Sequence, residues 1–151
     1  ETVGMSKFAK SSPYHRSGGQ KQRNSIAGGL AMPPKVIIFD EVTAMLDPAG
    51  RAGIIETAKK LNKEFGITII NITHYMEESI DADMIYVMND GKCVAKGKPR
   101  EIFGKTEFLT SIGLTVPIAT QLAYSLSKAG INIPCNLLTI DEVAKALCQL
   151  K

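Results

Sequence analysis

A short apolar run that ends in two carboxylates constrains the fold of this chain more than any other feature. Residues 36–39 (VIIF) carry only apolar side chains, and Asp40 and Glu41 follow directly. A run of this length with β-branched residues is typical of a strand buried within a sheet. In open α/β folds, ligands bind beyond the carboxyl ends of the strands. The pattern therefore predicts an α/β fold with both carboxylates at a ligand-binding edge.

Alternating strand and helix patterns around this run predict a largely parallel sheet with flanking helices. Residues 67–73 (ITIINIT) predict a second buried strand, and Asn89-Asp90-Gly91 predicts a hairpin that forms an antiparallel edge. The helices that we expect lie at residues 18–32, 48–66, 76–80, 118–129 and 140–150. Thr139 and Glu142 match a capping box at the start of the last helix, with Leu138 and Val143 as its hydrophobic staple.

Beyond residues 97–100 the sequence pattern changes and predicts only helices. We therefore predict a division into residues 1–98 and a small helical extension, 99–151. The 151 residues are 44% hydrophobic, enough for a real core. A net charge of +3 is too small to indicate a nucleic-acid partner, and we expect none. No apolar run approaches the roughly 18 residues that a membrane-spanning helix needs.

Three polar features have the chemistry of a phosphate-processing site. Asp40 could organise Mg²⁺ on a nucleotide, and Glu41 could orient or deprotonate an attacking water. His74, which ends the second predicted strand, could donate a ring N–H to a terminal phosphate. Each also has a plain structural explanation, because acidic residues and histidines often lie at the ends of strands. A further acidic residue, Asp47, could simply cap the helix that Pro48 begins.

Backbone amides at a helix start form the fourth feature. Ser17, Gly18, Gly19 and Gln20 lead into the first predicted helix. Glycine lets a phosphate approach the backbone, and the helix dipole favours its negative charge. Taken alone, a Gly-Gly pair is more often a turn.

The order of these pieces resembles the ATP-binding cassette (ABC) ATPases. RSGGQKQR resembles their signature motif, VIIFDEVTAMLDP resembles Walker B followed by the D-loop, and NITHYMEE resembles the switch-histidine region. The finer resemblance is to the ATP-binding subunits of energy-coupling factor (ECF) transporters, through the approach to the signature and through VMNDGKCVAKGKPREIFGKTEFLTSIGLTVPIATQLAYSL. Residues 17–20 are called the signature segment below.

The resemblance implies ATP and Mg²⁺ as cofactors and a role for each residue. Glu41 would be the catalytic base and His74 would stabilise the γ-phosphate, while Asp40 would organise Mg²⁺ mostly through water. The signature segment would contact the γ-phosphate of ATP held by a second ABC ATPase subunit, in a homodimer or heterodimer. Asp47 would belong to the interface D-loop, and residues 99–151 would add dimer contacts.

The resemblance also implies a setting. Such subunits act peripherally at the cytoplasmic face of the membrane. They drive a membrane coupling protein and a membrane component that binds the vitamin or metal ion to be imported.

The chain departs from the family pattern in two ways. It contains no Gly-x-x-x-x-Gly-Lys-Ser/Thr phosphate loop, so we interpret it as the C-terminal part of a longer subunit and expect it to be inactive alone. Arg16, Asn24, Val42 and Met45 also replace residues that are usual in the family. The alternatives are another class of ABC importer ATPase, a soluble ABC ATPase of DNA maintenance or translation, and a non-catalytic module.

Overall fold

The computed structural model describes residues 3, 6, 12, 14, 17–32 and 34–150, so Arg16 and Pro33 lie outside the described residues. Its α-helices are α1 (Gly18–Leu30), α2 (Pro48–Phe65), α3 (Pro99–Phe103), α4 (Thr106–Ser111), α5 (Ile118–Lys128) and α6 (Ile140–Cys148). Its strands are β1 (Val36–Asp40), β2 (Thr68–Ile72), β3 (Ile85–Asn89) and β4 (Lys92–Gly97), and a 3₁₀ helix spans Met76–Ser79. The expected helices and strands are present with shifted ends, whereas α3 and α4 are additional.

The first of two compact units, Glu1–His74, is built on a parallel pair of strands. β1 and β2 run side by side, and Asp40 at the end of β1 lies opposite Ile72 at the end of β2. Pro48 begins α2, and Gly66 ends it in the left-handed conformation at φ 66°, as the sequence predicts. One face of the strand pair packs with the helices around a core formed by Val3, Ile26, Phe39, Leu46, Ile54, Ala58, Leu61 and Ile67.

The prediction that both strands are fully buried is wrong for this chain. Alternate side chains of β1 and β2 point away from the core and remain about half exposed: Val36 (49%), Ile38 (62%), Ile70 (46%) and Ile72 (49%). Continuous apolar strands are typical of sheets covered on both faces. Here the described residues supply a helical layer for one face only. These four side chains are called the open sheet face below.

The second unit, Tyr75–Lys151, begins with the predicted hairpin. β3 and β4 pair antiparallel around Asp90 and Gly91, which both have positive φ, at 47° and 71°. This pair forms a sheet of its own, so the expected antiparallel edge on the parallel sheet is not observed. The hairpin and α3 to α6 enclose two apolar clusters, one around Phe103 and Leu109 and one around Ala123 and Val143.

The C-terminal helix begins at the predicted cap residue, Thr139, but with only half of the predicted capping box. The hydroxyl of Thr139 accepts a hydrogen bond from the N–H of Glu142 at 3.3 Å, and the Glu142 carboxylate accepts one from the N–H of Leu138 at 2.8 Å. Leu138 and Val143 lie in different apolar clusters. The compact units divide after His74, so the sequence boundary at residue 98 falls inside the second unit. That boundary stays a prediction about domain organisation.

Candidate functional site

Asp40 is the last residue of β1, and Glu41 begins the loop that follows it. The N–H of Glu41 donates to the carbonyl of Ile72 at 3.0 Å, which extends the parallel pairing by one residue. Glu41 has φ 46°, a left-handed conformation that is rare for a residue with a side chain. Such outliers concentrate at functional sites, where surrounding structure holds the strain.

His74 lies two residues beyond the end of β2 and contacts Glu41. The distance between His74 Nδ1 and Glu41 Oε1 is 3.3 Å, and the two side chains are 56% and 55% exposed. An ionised carboxylate can only accept hydrogen bonds, so Nδ1–H donates to Glu41. The structure thus brings together two of the residues that the sequence singled out, because neighbouring parallel strands end at the same edge of the sheet.

Asp40 presents an exposed carboxylate beside this pair in sequence. Among the described residues, no group of three or more His, Cys, Asp or Glu side chains is placed to hold a metal ion. The carboxylates of Asp40 and Glu41 alone do not suit a metal ion whose ligands must all come from protein side chains. They do suit Mg²⁺, which keeps several waters and takes one or two carboxylates together with substrate phosphates.

The signature segment begins α1 with a reciprocal cap. The Ser17 hydroxyl accepts from the N–H of Gln20 at 3.4 Å, and the Gln20 side-chain oxygen accepts from the N–H of Ser17 at 3.0 Å. Gly18 and Gly19 occupy the first helical turn, whose N–H groups have no acceptor within the helix. The predicted row of backbone amides at a helix start is therefore present.

A surface pocket of about 410 Å³ joins the signature segment to the loop before α2. Its lining includes Ser17 to Gln20, Arg23, Leu46 and Asp47, and does not include Asp40, Glu41 or His74. Asp47 also caps α2, because its Oδ1 accepts from the N–H of Gly50 at 3.0 Å. The sequence-predicted residues therefore form two groups, a carboxylate–histidine pair at the strand ends and a pocket at the start of α1.

Three of the departures from the family pattern, Asn24, Val42 and Met45, lie among the described residues. Val42 is half-buried and packs against the core of the first unit, and Met45 is almost fully exposed beside the pocket. Asn24 is exposed on α1.

Sequence reasoning missed Arg23, whose Nε is buried without a hydrogen-bond partner among the described residues. Its guanidinium lies against the backbone of Gly53 in α2. Glycines three residues apart at positions 50 and 53 of a predicted helix are the signal that could have found this contact, since they mark a close approach.

A second pocket, of about 520 Å³, lies in the C-terminal unit between the start of α3 and the start of α6. Arg100 donates to both carboxylate oxygens of Glu142 and to the carbonyl of Asn136 at 3.2 Å. The Arg100 guanidinium, and next the N–H of Leu138, lower the pKa of Glu142 to about 2. This pair fastens α6 to α3 and holds no group that the sequence singled out for phosphate chemistry.

No helix among the described residues is both long enough and apolar enough to cross a membrane.

Residues 1–44 match the family model described as ABC transporter. The chain is 56% identical over 149 residues to the energy-coupling factor transporter ATP-binding protein EcfA1 of Clostridium novyi, covering 99% of this chain and 53% of that protein. The protein of the same name from Lactobacillus delbrueckii subsp. bulgaricus is 44% identical over 148 residues, covering 98% and 52%. This chain thus corresponds to about half the length of such curated relatives.

A solved structure gives independent support for the fold. The ATP-binding cassette MJ0796, in a dimeric post-hydrolysis state bound to ADP and Pi, aligns with a TM-score of 0.55 and 34% identity, covering 64% of this chain and 44% of that one. The α/β fold class of the ABC-type P-loop domain is thereby confirmed. By these matches, the chain is similar over almost its whole length to ATP-binding proteins of energy-coupling factor transporters, and its first 44 residues match the ABC transporter family model.

Proposed function

We propose that this chain is the C-terminal portion of an ATP-hydrolysing subunit that powers an ECF-type importer of vitamins or metal ions. The observation that carries the proposal is the contact between Glu41 and His74, 3.3 Å apart where two parallel strands end. An acidic residue and a histidine in contact at this edge can act on a terminal phosphate and the water that attacks it.

Glu41 is assigned the task of orienting and deprotonating the water. Its carboxylate is about half exposed to solvent and lies 3.3 Å from His74 Nδ1. His74 holds Glu41 through Nδ1–H. In its imidazolium form the ring has a second N–H on Nε2, which can donate to a γ-phosphate oxygen while the first still holds Glu41. The pair therefore links the position of the base to the presence of the phosphate.

Asp40 is assigned the Mg²⁺ that accompanies ATP, mostly through bound water. The metal would supply charge neutralisation on the β- and γ-phosphates. Asp40 is exposed and follows the last apolar residue of β1, which suits an outer-shell carboxylate.

The signature segment is assigned to the ATP of the facing subunit. One feature supports a role in trans: its pocket does not include Asp40, Glu41 or His74. Asp47 shares this pocket and would lie at the same subunit interface. The solved relative MJ0796 is described as dimeric and bound to ADP and Pi.

The partners follow from the same family. A second ABC ATPase subunit would face this one, and a membrane coupling protein with a substrate-binding membrane component would receive the motion at the cytoplasmic face. Co-purification from native membranes distinguishes the ECF assembly from another ABC importer by the integral membrane proteins recovered. A soluble ABC ATPase would recover none.

Changing Gly19 to Asp tests the trans assignment. Gly19→Asp places a carboxylate and new bulk at the helix start, where repulsion excludes the γ-phosphate of the facing subunit. In a mixed dimer of the complete subunits with one mutant signature segment, we expect hydrolysis to fail at the facing site. Nucleotide crosslinking at each site measures this. A defect confined to the phosphate loop of the mutated subunit itself would show that the assignment is wrong.

Changing Glu41 to Gln tests the catalytic assignment. Glu41→Gln removes the proton acceptor but keeps the shape of the side chain. In the complete subunit, hydrolysis should fall by ~10²-fold or more, while ATP binding persists. The closed, ATP-bound dimer should then accumulate, as size-exclusion chromatography can detect. Near-normal turnover by this variant removes Glu41 from the catalytic role.

A further inference from the structure

Arg23 crosses from α1 to α2 at a position where α2 has no side chain. A Cβ built on Gly53 would lie 2.7 Å from Arg23 Nη2, 3.3 Å from Cζ and 3.8 Å from Nη1. The guanidinium therefore lies directly against the Gly53 backbone. A side chain at position 53 would move the guanidinium from this place, so the present contact depends on the glycine.

Arg23 is partly buried, and the position of its Nε argues that its role is positional. Its Nε is buried and has no hydrogen-bond partner among the described residues. Leaving such a group unpaired costs about 1–3 kcal/mol. An aliphatic residue would fill the same space without that cost. Arg23 also lines the pocket that contains Ser17 and Asp47, which places it beside the groups assigned to the facing ATP.

Two further close approaches join the same elements. A Cβ on Gly18 would lie 3.2 Å from Leu46 Cδ2, and one on Gly19 would lie 3.7 Å from the Cα of Gly50. The start of α1 is thus packed against the loop and first turns of α2, and Arg23 extends this contact one turn further to Gly53. The packing of α1 against α2 and the loop before it therefore holds the signature segment and Asp47 close together.

We propose that Arg23 is a positioning residue which, through Gly53, fixes the signature segment relative to the Asp47 loop, so that both meet the facing nucleotide together. This inference rests on the proposed function. Loss of the contact lets α1 shift on α2, and the amides of Gly18 and Gly19 then miss the γ-phosphate. ATP bound by the mutated subunit's own phosphate loop is unaffected.

A double-mutant cycle in the complete subunit tests this. Arg23→Ala removes the guanidinium. Gly53→Ala displaces it while favouring the helix. In mixed dimers with one mutant subunit, each change should lower kcat at the facing site by about tenfold, with KM at the mutated subunit's own site unchanged. The double variant should be no slower than either single one. A merely structural role would lower the melting temperature and impair both sites alike.

Gly28→Ala is the matched control, because a Cβ on Gly28 meets no atom within 4 Å. It has the same effect on helix propensity but leaves the α1–α2 contact intact, so its kcat should equal wild type. Unchanged kcat in Arg23→Ala, or independent effects of the two changes, overturns the inference while leaving the proposed function standing. An unmutated assembly without ATPase activity overturns both.

Discussion

Among single residues, Glu41 combines a proposed chemical role with an unfavourable backbone. A residue with a Cβ in the left-handed region costs about 1–2 kcal/mol relative to the right-handed one. Glu41 adopts φ 46° while its N–H stays bonded to Ile72. Such strain persists only where the surrounding structure fixes the residue, and it is common at functional sites.

Replacing Glu41 with glycine should therefore cost no stability. We expect Glu41→Gly to leave the free energy of unfolding unchanged or to raise it by up to about 1 kcal/mol, because glycine adopts positive φ without strain. Glu56→Gly, in the exposed part of α2 where φ is helical, should lower it by about 1 kcal/mol. Urea unfolding of the two variants measures both values. An equal loss in both would mean that Glu41 is not strained.

For these single residues, the sequence could predict which side chains come into contact, but not the backbone conformation or the packing that positions them. The meeting of Glu41 with His74 follows from two apolar strands that end at one sheet edge. The positive φ of Glu41 depends on the particular loop that follows β1. The contact of Arg23 with Gly53 depends on how two helices pack: the glycines at positions 50 and 53 mark a close approach but do not identify its partner.

Among the elements, α6 depends on one ion pair for its attachment to α3. Glu142 accepts from Arg100 and from the N–H of Leu138, while its own N–H donates to the Thr139 hydroxyl. Glu142 is 29% exposed and Arg100 is 49% exposed, so water screens part of the attraction. The capping pattern predicted Thr139 as the cap, whereas the Glu142 carboxylate bonds the N–H of Leu138 instead of that of Thr139. Arg100, 42 residues earlier, could not be found from local spacing.

This pair should make stability depend on acid. The pKa of Glu142 falls from 4.5 to about 2 on folding, chiefly through the Arg100 hydrogen bond. A lowered pKa means that the stabilisation is present above about pH 4.5 and is lost as pH falls towards 2. After allowance for screening, Glu142→Gln should lower the free energy of unfolding by about 1–2 kcal/mol at pH 7. Urea unfolding should show this difference shrinking below pH 4.5.

Glu107 is the matched control for that variant. Its carboxylate also accepts from a cation, Lys128, at 2.9 Å, but both side chains are exposed, at 71% and 63%. Glu107→Gln should therefore change stability less than Glu142→Gln at pH 7. A pH-independent loss in Glu142→Gln would assign the effect to packing instead of charge.

The elements that the sequence predicted poorly share a physical cause. α3 and α4 have five and six residues, too few for an apolar period to repeat. The strands β1 and β2 were expected to be covered on both faces, because their apolar runs are continuous. The apolar residues of a strand indicate how many of its faces are suited to burial. Whether a face is buried depends on whether helices pack against it.

For the molecule as a whole, we expect no ATP hydrolysis from these 151 residues alone. The sequence provides a base, a histidine and a helix start, but no loop of amides with a lysine for the β- and γ-phosphates. Turnover of the purified chain with Mg-ATP measures this. A rate above ~1 s⁻¹ that disappears in Glu41→Gln would show that another part of the chain binds the phosphates.

The open sheet face has a consequence for the life of the free polypeptide in a cell. Val36, Ile38, Ile70 and Ile72 form a contiguous aliphatic surface that water solvates poorly. Chaperones and proteases continuously sort proteins that display such surfaces. Polypeptides whose open sheet face stays uncovered should therefore be degraded. The cellular amount of this polypeptide should then follow the supply of whatever covers these strands and not its own rate of synthesis.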